Sequence, residues 1–145
     1  MTLPPIAEVL PHAPPMILLD ELLAFSPEGA RCAVRLRPDS PLVEDGRVRA
    51  LVTIEYMAQA VAAYAGMKSR LAGEPPRLGL LLGTRELKLS VQHLLAGDSL
   101  TVDVEHVFGD DQIGSFRCRV VRGEETVAEA TLSVYQQGSD GALPP

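Results

Sequence analysis

The chain has 145 residues, with 13 basic and 19 acidic side chains, 46% apolar residues, 4% aromatics and no Trp. That length suits one globular domain able to bury roughly 65–70% of its extended-chain surface, which argues against intrinsic disorder. A formal charge of −6 excludes nucleic acid as the main partner, because phosphate binding needs a basic footprint. Cys32 and Cys118 are too few for a disulfide scaffold and stand in no CxxC pair. The first 25 residues hold no Lys or Arg and carry Pro4, Pro5, Pro11, Pro14 and Pro15, unlike a secretory signal. No stretch approaches the ~20 apolar residues of a membrane span. A soluble, cytoplasmic protein is expected.

In chain order, a short turn or helix around Ile6 to Val9 comes first. A proline-punctuated loop and the apolar run Met16 to Leu19 follow. After the turn Pro27-Glu28-Gly29, Cys32, Val34 and Leu36 alternate with Arg31, Arg35 and Arg37, the period of a half-buried strand. One long helix is predicted from about Leu51 to Leu71, stopped by Gly73 before Pro75-Pro76. Its apolar positions Ile54, Met57, Ala58, Val61, Ala62 and Ala65 follow helical spacing, and its many small residues suit close approach to a sheet.

Strands are predicted for the remainder. Leu78 to Leu82 is apolar, and Leu87, Leu89 and Val91 alternate with polar neighbours before the turn Ala96-Gly97-Asp98. Leu100, Val102 and Val104 lead through the turn Gly109-Asp110-Asp111 to Phe116, Cys118 and Val120. A last hairpin at Arg122-Gly123-Glu124 leads to Ala128, Ala130, Leu132 and Val134. Both cysteines fall on the apolar side of a strand and read as core. The sum is an α+β domain over residues 1–136, an antiparallel sheet wrapped round one long central helix, with 137–145 as a flexible tail. Unpaired strand edges favour a dimer.

Charge is uneven along this order. Residues 1–30 hold four acids and no base, 31–97 hold ten bases and six acids, and 98–145 hold three bases and nine acids. A basic middle on an acidic chain reads either as scattered solvated charge or as a docking face for an acidic partner.

Three passages carry a family likeness: Leu10-Pro11-His12 with Pro15 to Asp20; Ile54-Glu55-Tyr56-Met57-Ala58-Gln59-Ala60; and Leu78-Gly79 to Leu87-Lys88, followed by Gly97-Asp98. In that order the chain resembles the hot-dog fold β-hydroxyacyl-[acyl carrier protein] dehydratases, especially those of bacterial aryl-polyene and related fatty-acid- or polyketide-type assembly lines. The resemblance implies removal of water from a 3-hydroxyacyl thioester to give a trans-2-enoyl thioester. It also implies a substrate carried on phosphopantetheine, no further cofactor, and a homodimer or a heterodimer with a related hot-dog subunit. Acyl carrier protein or CoA would deliver the chain. Family members place a catalytic His about fourteen residues before the helix Glu; here Pro38 to Leu51 contains none.

Water loss needs a base for the proton beside the carbonyl, an acid for the departing hydroxyl and a donor for the enolate-like oxygen. Glu55, early in the helix, is the expected acid, its pKa raised by burial and opposed by the helix N-terminus. His12 is the expected replacement base. Gln59, one turn on, would orient the Glu55 carboxyl. Thr53 lies where first-turn N–H groups would polarise the thioester, and Gly79 joins the substrate-binding set. Arg47, Arg49, Arg77, Arg85 and Lys88 form the expected carrier-docking group. His93 and His106 lack metal-ligand spacing, and no metal site is expected.

Two other functions remain open. Glu44 and Asp45, standing where the family base would be, would turn the site toward thioester hydrolysis if they activated water. Alternatively, the missing histidine marks a non-catalytic subunit that supports an active dehydratase.

Overall fold

The computed structural model describes residues 2–77, 79–110 and 112–136. The predicted tail at 137–145, Leu78 of the apolar run and Asp111 of the hairpin turn lie outside them. Among the described residues eight strands and one long helix form: β1 (Glu21–Ser26), β2 (Gly29–Arg35), β3 (Arg47–Arg49), α1 (Thr53–Leu71), β4 (Gly79–Leu89), β5 (His93–Leu95), β6 (Ser99–Gly109), β7 (Ile113–Arg122) and β8 (Glu125–Gln136). Six of the strands form one antiparallel sheet in the order β1-β2-β6-β7-β8-β4, and β3 pairs with β5 separately.

The helix forms close to where its periodicity places it, with one difference at the start. A 3-10 turn at Ala50–Val52 runs directly into α1. At the other end Gly73 takes φ +75°. Its N–H donates to Arg70 O at 3.0 Å, while Glu74 N–H donates to Ser69 O at 2.8 Å. This left-handed glycine satisfies the last carbonyls, as helix C-termini require. Tyr56, Met57, Ala60, Ala63, Tyr64 and Met67 are buried on α1. They pack against inward-facing Cys32, Val34, Leu100, Val102, Val104 and Val120 of the sheet. Burial of a side chain the size of Met57 contributes about 1.5–3 kcal/mol.

The small residues of α1 divide between two uses. Ala60, Ala63 and Gly66 are buried, while Ala58, Ala62 and Ala65 are half-buried and face a cavity. At Gly66 the close neighbour is not the sheet, as the sequence suggested, but the N-terminal segment. A Cβ at residue 66 would collide with Val9 O. Three strands have no clear signal in the sequence. β3 and β5 are three residues each, too short for periodicity, and β1 carries a register shift between Leu22 and Ala24 that breaks its alternation.

Two features of the sheet surface bear on assembly. β4 forms one edge, and Leu80, Leu81, Leu82 and Leu89 are exposed along it. On the outer face, Arg31, Asp103, Arg119, Glu129 and Lys88 stand directly opposite one another on successive strands from β2 to β4, alternating in sign. Asp103 pairs with Arg31 at 2.6 Å and with Arg119 at 3.3 Å. Among the described residues no helix is long and apolar enough to cross a membrane.

Candidate functional site

A cavity of about 510 Å³ runs beside α1, with lining residues from Glu55 to Ala72 on the helix side. Those positions are roughly 25 Å apart along the axis. Ala58, Ala62 and Ala65 form its floor, and their short side chains keep it open. Leu18, Leu80, Leu81 and Val134 supply apolar wall. The polar pair named from the sequence, His12 and Glu55, lines this same cavity.

The loop carrying His12 is tied down on both sides. Before it, Val9 and Leu10 are buried and Val9 O rests on Gly66. After it, the side-chain amide of Gln59 grips the main chain. Leu18 and Leu19 N–H donate to Gln59 Oε1 at 2.8 and 3.3 Å, and Gln59 Nε2 donates to Met16 O at 2.7 Å. His12 lies between these anchors, half-buried. Its Nδ1 is buried and has no hydrogen-bond partner among the described residues.

Glu55 departs from the expectation of a buried acid. It is exposed in the single chain and, among the described residues, its carboxylate joins no hydrogen bond or ion pair. Gln59 does not orient it. Gln59 is buried, and its amide oxygen and nitrogen are used on the N-terminal loop, although it also lines the cavity. Thr53 is fully buried and outside the cavity lining. Its Oγ1 donates to Ala50 O at 2.6 Å, and its N–H is directed to Ala50 O and Leu51 O. The 3-10 turn thus occupies the donor that the sequence placed at a free helix end. Gly79 lines the cavity at the start of β4.

The five basic residues do not converge. Arg47 and Arg49 lie on β3 just ahead of the helix entrance, with Arg49 opposite His93. Lys88 and Arg85 lie on the part of β4 that leads into β5, on the same side of the molecule as β3. Arg77 lies past the helix C-terminus, lining the cavity and paired with Glu74. Glu44 and Asp45 are exposed and outside the cavity lining. Glu44 bridges Arg47 across a tight turn in which Asp45 and Gly46 take positive φ. The stretch that holds the family histidine is here a reversal of the chain.

Sequence reasoning passed over the far half of the cavity. His106, Tyr64, Phe116 and Tyr135 line it. The Phe116 ring lies 5.0 Å from His106 and 5.6 Å from Tyr64. Tyr64 is about 14 Å beyond Glu55 along the helix, so His106 belongs to a different stretch of the cavity. The available signal was parity: His106 continues the inward series Leu100, Val102, Val104. Among the described residues no group of three or more His, Cys, Asp or Glu is placed to hold a metal ion.

Comparison with known proteins agrees with this architecture. The chain is 29% identical over 131 residues to the 3-hydroxyacyl-[acyl-carrier-protein] dehydratase FabZ of Symbiobacterium thermophilum, covering 86% of this chain and 89% of the relative. Its structure is similar to the dehydratase heterocomplex ApeI:P from Xenorhabdus doucetiae, with TM-score 0.91, 28% identity and coverage of 97% and 95% of the two chains. A hypothetical thioesterase with coenzyme A from Streptococcus pneumoniae shares the fold at TM-score 0.62 and 14% identity, over 81% of this chain and 85% of that one. The ApeP-like (ApeP dehydratase) family profile matches residues 4–142, and the chain belongs to that family.

Proposed function

We propose that the chain removes water from a 3-hydroxyacyl thioester carried on a phosphopantetheine arm, giving a trans-2-enoyl thioester. The observation that carries this reading is the placement of His12 and Glu55 on one long, alanine-floored cavity. Such a cavity accepts an extended acyl chain and has proton-transfer groups on its wall. Arg47 and Arg49, on β3 just ahead of the start of α1, supply positive charge for an acidic carrier protein, while Arg85 and Lys88 lie on the edge strand β4. Arg77, paired with Glu74 beyond the other end of the helix, is left out of that docking face. The exposed leucines of β4 are the seam for a second hot-dog subunit.

The test is an assay with a carrier-bound 3-hydroxyacyl substrate, following the enoyl product by mass. Glu55→Gln should reduce turnover about 100-fold or more with unchanged circular dichroism and melting temperature. Wild-type turnover in the variant overturns the assignment.

A second reading has its own support. Pro38 to Leu51 contains no histidine, and a structural relative is a dehydratase heterocomplex. In that reading the chain is the supporting subunit. Activity of the two-subunit assembly would then survive both Glu55→Gln and His12→Ala in this chain.

A further inference from the structure

We infer that His12 acts from Nε2 as a hydrogen-bond donor to the substrate's thioester oxygen, and that Glu55 carries the proton through the elimination. This rests on the dehydratase reading above and moves the base role expected of His12 to Glu55, which keeps its role as acid. A neutral imidazole has one donor and one acceptor nitrogen, and the partner of one nitrogen sets the state of the other. To accept a proton at Nε2, His12 must first hold its proton on Nδ1 and then become a cation with both nitrogens protonated. Each of those states places an N–H on Nδ1, which is buried without an acceptor. Buried donors without acceptors are rare because desolvation is uncompensated. The tautomer that avoids this has the proton on Nε2, where a ligand in the cavity can accept it.

Glu55 suits the complementary role. It is exposed in the single chain and bound to no cation among the described residues, and it lines the same cavity as His12. Its carboxylate takes the C2 proton, and the electron pair moves onto the thioester oxygen, which accepts the hydrogen bond from His12 Nε2. As the C2–C3 double bond forms, the C3–O bond breaks and the departing hydroxide takes the proton from Glu55, leaving as water. The carboxylate is regenerated and His12 stays neutral throughout. Two anchors keep the donor in place, Val9 on Gly66 and Gln59 on Met16 to Leu19.

Two measurements on the full chain test this. In protein labelled with nitrogen-15 histidine, the signal lost in His12→Gln identifies His12, and at neutral pH it should show the pattern of an imidazole protonated only at Nε2. The Nδ1-protonated pattern, or a cation, overturns the inference. In the dehydration assay, His12→Ala should lower kcat about 100-fold or more, while His12→Gln, which keeps an N–H donor but no basic nitrogen, should stay within about 10-fold of wild type. If Gln is as inactive as Ala, or Ala as active as wild type, the donor role fails. A wild-type protein without dehydration overturns the dehydratase reading and this catalytic role together, while the tautomer measurement still reports the loop geometry separately.

Discussion

At Gln59 one side-chain amide serves three main-chain groups of a loop about 40 positions earlier in the chain. Helical spacing pairs Gln59 with Glu55, and that pairing is what the sequence suggests. The two side chains nevertheless separate by environment, one buried and one exposed. Nothing local to the helix reveals a partner that arrives through tertiary packing. Truncation to Ala strands the buried N–H of Leu19 together with the partly buried N–H of Leu18 and carbonyl of Met16. With about 1–3 kcal/mol for each unsatisfied buried group, and partial relaxation, Gln59→Ala should lose about 3 kcal/mol of stability, read from the urea midpoint. An unchanged midpoint would mean that the loop is held by Val9 and Leu10 alone.

Among the elements, α1 and the long strands were legible because each repeats its period several times, and β2, β6 and β7 keep the predicted faces, with Cys32 of β2 and Cys118 of β7 inward. The short pair β3–β5 was not, since three residues carry no period and their pairing depends on the chain reversal at Asp45-Gly46. β4 was read as an apolar strand, but its place at the sheet edge follows from strand order, which composition does not encode. An exposed apolar edge joins another sheet unless a charge blunts it. Leu81→Lys should therefore give a single-chain mass by light scattering where the wild type gives an assembly, with circular dichroism unchanged. A variant that assembles as the wild type does places the seam elsewhere.

For the whole molecule, three buried groups tie folding to alkaline pH. Burial pushes the Cys32 and Cys118 thiols up from 9.0 to about 12, with the charge of Asp103 adding to the rise at Cys32. Burial, aided by the charge of Asp20, raises the Tyr56 phenol from 10.0 to about 12. In each case the folded state holds a proton that the unfolded chain releases earlier. Their contribution to stability is therefore complete below about pH 9 and is lost as pH rises toward 12, each group removing up to about 1.4 kcal/mol per pH unit in its window. Urea midpoints should be flat with respect to these groups up to pH 9 and fall steeply above it. A midpoint steady to pH 11 would contradict the burial of all three.

At this scale periodicity located the helix, the family likeness singled out Glu55 and the His12 loop, and those residues line one cavity. The division of labour between His12 and Glu55 was not legible, because it turns on which ring nitrogen lacks a partner. The alternating charges across the outer face stop at Lys88, on the last strand before solvent. A newcomer strand laid along that border inherits an unfinished sequence of signs. Its energetically matched residue at that rung is an aspartate or glutamate, while a lysine or arginine there is repelled. The sheet thus sorts candidate companions by the charge at one cross-strand position, a filter that requires no contact with the reaction chamber.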